Sequence, residues 1–311
     1  MMLAGCAQMQ PAIQAPAAAP QSTALPAIPS GIRRPGWLSP AARVPGSSGP
    51  VVYLASVTDD GVLIYPETGG QPIGEISNGV NSPYGLYVDK YGTLYVANWD
   101  NTVTAYAAGS TSPSTTWSQD LDRPLYPIVD SSGDLFVSNA NNGTVVEYLS
   151  GSTNAYQVLH TPGKEADGMD FDSQGNLYVA YRLNDKKRAG AIEEFGPGST
   201  QGKVLPMKIN EPQGLIVDNS GNIVVVVTGA ADRIELFRPG HRYYSQEIPA
   251  PKGSFLTQIA LEADESELYA DEYNGSVLSV AYPFPPSATL SELFRADSLI
   301  QGMAISNGQT F

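Results

Sequence analysis

From Val51 onward the apolar positions come in short runs, separated by clusters of Asp, Asn, Ser and Gly. Four stretches superimpose on one another: PYGLYVDKYGTLYVA from Pro83, PLYPIVDSSGDLFVS from Pro124, ADGMDFDSQGNLYVA from Ala166 and PQGLIVDNSGNIVVV from Pro212. Each reads as a short strand, an Asp-x-x-Gly turn and a second strand. The turn has a physical reason. The Asp side chain accepts from backbone amides two residues on, and Gly takes the positive φ of a tight hairpin. The turn glycines, Gly92, Gly133, Gly175 and Gly221, are spaced by 41, 42 and 46 residues. A fifth copy, LTQIALEADESELYA from Leu256, is degenerate, and its turn is one residue longer. Third strands follow at Val103 to Tyr106, Val145 to Tyr148, Ile192 to Phe195, Ile234 to Phe237 and Val277 to Val280. A weaker fourth strand completes each unit.

The two ends of the region complement each other. VVYLASVTDDGVLIYP from Val51 looks like a second and third strand without a first. IQGMAISNGQTF from Ile300 looks like a first strand and turn without the rest. Joined, they make a sixth unit, and 261 residues divide into six units of about 43. The expected fold is all-β: a six-bladed propeller of four-stranded blades, closed by pairing of the N- and C-terminal strands. The expected organisation is a residual signal and lipobox over 1–6, a disordered Ala/Pro-rich spacer over 7–50 and the propeller over 51–311.

The pattern P-x-G-Φ-x-V-D-x-x-G-N-Φ-Y-V, followed by N-x-x-V/I-x-x-Y/F, resembles the NHL repeat. More broadly it is similar to the six-bladed propellers that include the SMP-30/gluconolactonase group. Virginiamycin-B-lyase-like propellers are more distant; their Trp-Phe-Thr-Glu-like strand endings read here as LYVAN, LFVSN and LYVAY. These resemblances imply a fold, and folds of this kind host many unrelated activities.

Charge narrows the partners. Residues 1–50 hold no Asp or Glu and three arginines, so the remaining 14 basic and 31 acidic residues give the rest of the chain a net charge of −17. Such a surface repels phosphate backbones, and nucleic acid is not expected as a partner. No stretch approaches the roughly 18 unbroken apolar residues of a transmembrane helix. The single cysteine, Cys6, excludes an intrachain disulfide. Leu3-Ala4-Gly5-Cys6 resembles a bacterial lipobox, which implies lipidation of Cys6 and a membrane link by that anchor only. The basic and apolar parts of a signal peptide are missing from the sequence, so either translation starts further upstream or Cys6 is a chance residue of a cytosolic protein. Ala7 rather than Asp follows the cysteine, which favours the outer membrane or cell surface. The expected location is the cell envelope or the exterior.

Candidate chemistry centres on the channel. Aligning the units places Tyr84, Leu125, Asp167, Gln213, Thr257 and Gln301 at equivalent positions, where six innermost strands begin. These side chains are expected to ring one mouth of the channel. In SMP-30-like lactonases, carboxylates and amides at such positions bind a divalent metal, and an Asp-Gly there is the base. Asp167-Gly168 is similar to that motif, which makes Asp167 the candidate catalytic residue and Ca²⁺ the cofactor such a site would take. The rest of the ring argues otherwise. Ca²⁺ takes six to eight oxygens, several from carboxylates, and this ring supplies one carboxylate, two Gln amides and a hydroxyl. No metal ligand set is assigned. The plainer reading of Asp167 is a hydrated polar residue at the channel mouth. His160 and His241 fall away from the channel, and no Gly-x-Ser-x-Gly elbow is present.

Loops after the second strands should share this mouth. They carry Asn98, Trp99 and Asp100; Asn139 and Asn141; Tyr181 and Arg182; Thr228; and Asp271, Glu272 and Tyr273. Aromatics among amides and acids suit a peptide or glycan surface, although each is also an ordinary loop residue. Lys186, Lys187 and Arg188 form the one basic cluster of the acidic domain. The reading is a lipid-anchored, monomeric binding propeller for a protein, peptide or glycan, with Tyr84, Trp99, Asp167, Tyr181, Arg182, Gln213, Asp271, Tyr273 and Gln301 as candidate ligand contacts. The alternatives are a metal-dependent lactone hydrolase using Asp167 and a structural cell-surface protein.

Overall fold

The structure, a computed structural model, describes residues 50–183 and 189–306. The sequence readings on Cys6, on the spacer up to Gly49 and on Lys186, Lys187 and Arg188 lie outside the described residues. The described residues form six four-stranded antiparallel sheets, each one blade. Blade 2 runs from Pro83 to Trp117, blade 3 from Pro124 to His160, blade 4 from Glu165 to Val204, blade 5 from Pro212 to Pro249 and blade 6 from Leu256 to Arg295. Blade 1 is composite. Its innermost strand, Ile300–Ile305, pairs with Val51–Ser56, which continues to Gly61–Pro66 and Gly74–Ile76. The closing register sets Val52 opposite Ile305, Tyr53 opposite Ala304 and Leu54 opposite Met303. Ser306 N–H donates to the Val51 carbonyl at 3.0 Å, and Val51 N–H to Ser306 Oγ at 3.1 Å. The two ends of the described chain therefore close the ring as the complementary half-units predict.

The turns form as their composition requires. Asp89 Oδ1 accepts from the amides of Tyr91 and Thr93, both at 2.8 Å. Asp130, Asp172 and Asp218 repeat this pair of bonds in blades 3, 4 and 5. Gly92, Gly133, Gly175 and Gly221 all have φ between 77° and 90°. In blade 6 the lengthened turn places Glu265 at φ 56° instead.

The core is six layers, one between each pair of adjacent blades. The strand Ile223–Val227 shows why its sequence is an unbroken apolar run. Ile223, Val225 and Val227 face blade 4, and Val224 and Val226 face blade 6. A strand covered on both faces has no polar side to alternate with. Each such Val contributes about 1.5–3 kcal/mol by burial, and because the layers meet only neighbouring blades, closure of the ring completes the last one.

The innermost strands approach closely around the axis. A Cβ on Gly302 would lie 2.0 Å from the Tyr84 carbonyl oxygen, and one on Gly85 2.1 Å from that of Leu125. Gly168 and Gly214 are similarly crowded by the next inner strand. This is the physical reason for the Gly that follows the ring position. Blades 3 and 6, on opposite sides of the ring, carry Tyr126 and Gln258 there instead. Tyr126 Oη donates to the Thr257 carbonyl at 3.0 Å across the axis. Gln258 Nε2 donates to the Leu86 carbonyl at 2.8 Å, and its Oε1 accepts from Met303 N–H at 3.1 Å. Both side chains fill the space that the glycines leave, so the centre of the propeller is plugged.

Candidate functional site

Tyr126 also belongs to a small apolar cluster with Tyr84 and Leu125. The Tyr126 ring meets Tyr84 edge-on, with centroids 6.0 Å apart. On its outer side Tyr84 stacks nearly parallel with Trp99, again at 6.0 Å. Arg123, from the loop entering blade 3, lays its guanidinium over the Trp99 ring with Cζ 4.0 Å from the centroid. Trp99 thus contacts both an aromatic ring and a cation. It supports Arg123 and, 39 % exposed, keeps open surface of its own.

Arg123 is fixed from its backbone. Its φ is 54°, and its N–H donates to Asn101 Oδ1 of blade 2 at 2.8 Å. Ser82 and Glu211, which also precede the Pro of an inner strand, share the positive φ at 48° and 40°. The conformation belongs to the repeat, and blade 3 uses it to present an arginine. A cavity of about 280 Å³ opens beside it, lined by Tyr84, Trp99, Arg123, Leu125, Asn141 and Glu165, with Ala140 and Lys164 completing the wall.

Asp167 is not part of the cavity wall and is buried, with 1 % of its surface exposed. Arg182 holds it through two bonds, Nε to Oδ2 at 2.8 Å and a terminal nitrogen to Oδ1 at 3.1 Å. The same terminal nitrogen reaches Glu165 Oε1 at 2.5 Å. Burial pushes the Asp167 carboxyl up to about 7, against the opposing pull of Arg182. The Arg182 guanidinium is itself held above its usual range, since two carboxylates outweigh its own desolvation. Both oxygens of Asp167 face a cation, which is the wrong partner for a metal ligand. Among the described residues no three His, Cys, Asp or Glu side chains are grouped so as to hold one metal ion. The residues present at the channel mouth do not fit a calcium site.

The other predicted residues divide. The mouth cavity brings Tyr84 and Trp99 together with Glu165, which binds Arg182 and so ties Arg182 and Asp167 to the same wall. Asp271, on the far side of the ring, is fully buried; its Oδ2 accepts from Thr257 Oγ1 at 2.5 Å and its Oδ1 from Gln258 N–H at 2.6 Å. Gln213 is 3 % exposed, and its Oε1 has no partner. Gln301 is half-buried. Tyr273 meets Phe255 edge-on at 6.3 Å and lies outside the cavity. Tyr181 is buried and packs against Gly163, where a Cβ would lie 2.6 Å from its ring.

Asn98 and Asn139 are not loop contacts. Both are fully buried and spend their amides internally: Asn98 Oδ1 accepts from Asn81 N–H and Asn139 Oδ1 from Asp122 N–H, each at 3.0 Å. Arg123 and Lys164 line the cavity without having been singled out in the sequence. Their one signal is position, since both precede an inner strand by one or two residues.

No family model and no curated protein matches the chain. Solved structures do. A chain of a nidogen–laminin complex is similar with a TM-score of 0.67 at 17 % identity, over 84 % of this chain and 100 % of that one. A streptogramin B lyase is similar with a TM-score of 0.52 at 15 % identity, over 68 % of each chain. At such identities these likenesses speak to the fold alone, and they agree with the sheet topology: the chain is an all-β, six-bladed propeller.

Proposed function

We propose that this propeller is a binding module whose ligand sits at the mouth over blades 2 to 4. The observation that carries this reading is the cavity of about 280 Å³ walled by an Arg123 stacked on Trp99. A guanidinium fixed by an aromatic support and facing open space is ready to bind without further ordering, and that readiness is a main source of affinity. The repeat pattern supports a place among NHL-repeat and SMP-30-like propellers. The solved neighbours, a chain from a nidogen–laminin complex and a streptogramin B lyase, allow both a binding and a catalytic role.

A second reading, lactone hydrolysis with Asp167 as base, draws on its raised proton affinity, which lies where general bases work. The bidentate contact with Arg182 and the burial of Asp167 weigh against it, because both oxygens are already engaged by a cation and only 1 % of the residue is exposed. One set of measurements separates the two. A glycan and peptide array is probed with wild type and Trp99→Ala, and lactonase activity is assayed with wild type and Asp167→Asn, with and without chelator. The binding reading expects array signals that fall in Trp99→Ala and no lactonase. Chelator-sensitive activity that Asp167→Asn abolishes with the fold intact would replace it.

The propeller is further proposed to sit at the cell envelope, held by lipid on Cys6 and acting as a monomer. The support is Leu3-Ala4-Gly5-Cys6 with a Pro-rich spacer after it. Labelled fatty acid should enter the chain expressed in a bacterium behind a lipoprotein leader, and Cys6→Ser should abolish it. Equal labelling of both would sink the anchor.

A further inference from the structure

The mouth cavity carries a charge opposite to that of its domain. After residue 50 the chain bears a net −17, yet the charged residues of the cavity wall are Arg123 and Lys164 against Glu165, with the Arg182–Asp167 pair joined to it through Glu165. Arg182 is committed to both carboxylates. That leaves Arg123 and Lys164, both on the cavity wall. The polar side-chain bond of Arg123 is a long one, 3.4 Å from Nη1 to the neutral Asn141 Oδ1, and its ring contact is with Trp99. Neither cation takes part in a carboxylate ion pair among the described residues.

We propose that the cavity binds a small ligand through a carboxylate, taken by Arg123 in its planar fork and by Lys164 beside it. This rests on the binding reading of the mouth and gives it a ligand class. Three observations select a carboxylate. First, the Arg123 guanidinium sits over the Trp99 ring and has only one long side-chain bond, 3.4 Å from Nη1 to Asn141, so most of its fork of N–H donors is uncommitted and suits a planar acceptor. Second, a singly charged acid suffers less repulsion from the acidic domain than a doubly charged phosphate does. Third, about 280 Å³ admits a body of roughly one sugar ring or one amino-acid side chain. Leu125, Ala140 and Tyr84 give that body an apolar wall. Asn141 donates its Nδ2 to Asp122 Oδ1 at 2.8 Å and is spent on positioning the wall, while Glu165 offers the oxygen it does not give to Arg182.

The test uses isothermal titration of the propeller with two monocarboxylic acids, galacturonate and N-acetylalanine, and with their methyl esters as neutral controls. At least one acid should bind with a dissociation constant of about 10 mM or tighter, more weakly at high salt, and its ester should not. Arg123→Gln should weaken the acid at least tenfold. Arg123→Lys should fall between, since it keeps the charge and loses the fork. Lys164→Gln, on an exposed side chain that does not bear on the fold, should weaken binding by a smaller factor. Circular dichroism and the melting temperature should stay at wild-type values in all three. Which acid binds reports whether the carboxylate is borne by a saccharide or a peptide, and either supports the proposal. Esters that bind as well as acids, unaffected by Arg123→Gln but lost in Trp99→Ala, overturn the carboxylate assignment and leave a binding mouth. Failure of both acids overturns the assignment as well, and the array then decides whether the mouth binds anything.

Discussion

Blades 4 and 6 each carry an aspartate with 1 % or less of its surface exposed, Asp167 and Asp271, and they satisfy it by different means. Asp167 of blade 4 is met by the guanidinium of Arg182, a long side chain that is itself partly exposed. Asp271 of blade 6 is met by a hydroxyl and a backbone amide from its own blade, Thr257 Oγ1 and Gln258 N–H. The first arrangement brings charge to the mouth and ties it to Glu165 and the cavity. The second closes on itself and offers nothing outward. One ring position and one strand ending, occupied differently in two blades, thus separate a half of the mouth that can meet a charged ligand from a half that is satisfied internally.

The comparison breaks most sharply at Arg182. Arg182→Met removes the partner of a buried carboxylate and should destabilise the fold by about 3–5 kcal/mol, because the charge left behind has neither water nor a counter-ion. Adding Asp167→Asn should restore much of that loss, since a neutral amide does not need the guanidinium. Urea unfolding of the single and double variants reads this directly. If Arg182→Met costs less than about 1 kcal/mol, in the range of an exposed pair, then Asp167 is not held as the distances indicate.

Much of this architecture is legible in the sequence, and the unread part has a common character. The period, the Asp-x-x-Gly turn and the complementary ends are local or regular features, so the closing register between Leu54 and Met303 follows from them. The ring position also follows, because it keeps a fixed offset from the turn. What does not follow is set by side chains meeting across blades. Tyr126 and Gln258 look like lapses from a glycine, and only the axis shows that they fill it. Asn98 and Asn139 look like loop polars, and only the cap on the preceding loop explains their burial. Arg123 stands at a position held elsewhere by Ser82, Glu165, Glu211, Phe255 and Leu299. No repeat can flag a residue whose partner, Trp99, belongs to the blade before it.

The smaller effect sharpens the other side of the comparison. Burial pushes the Asp271 carboxyl up to about 6 in the folded chain, the bonds from Thr257 and Gln258 holding it lower than burial alone would. Its ordinary value is 3.8. Between these values the native state keeps a proton that the unfolded chain has released. Stability from this group is therefore fully present below about pH 4 and is lost as the pH rises through 6. Between pH 5 and pH 6 the loss should be about 1 kcal/mol. Asp271→Asn cannot titrate, so its urea midpoint should fall less than that of wild type over this interval, whatever its absolute stability. Asp167 does not give so clean a difference, since Arg182 contributes to its titration from within the same pair. Equal slopes for wild type and Asp271→Asn would mean that the hydroxyl and amide of blade 6 hold their carboxylate ionised throughout. The two halves of the mouth would then differ in the identity of the partner and not in the charge that the fold must carry.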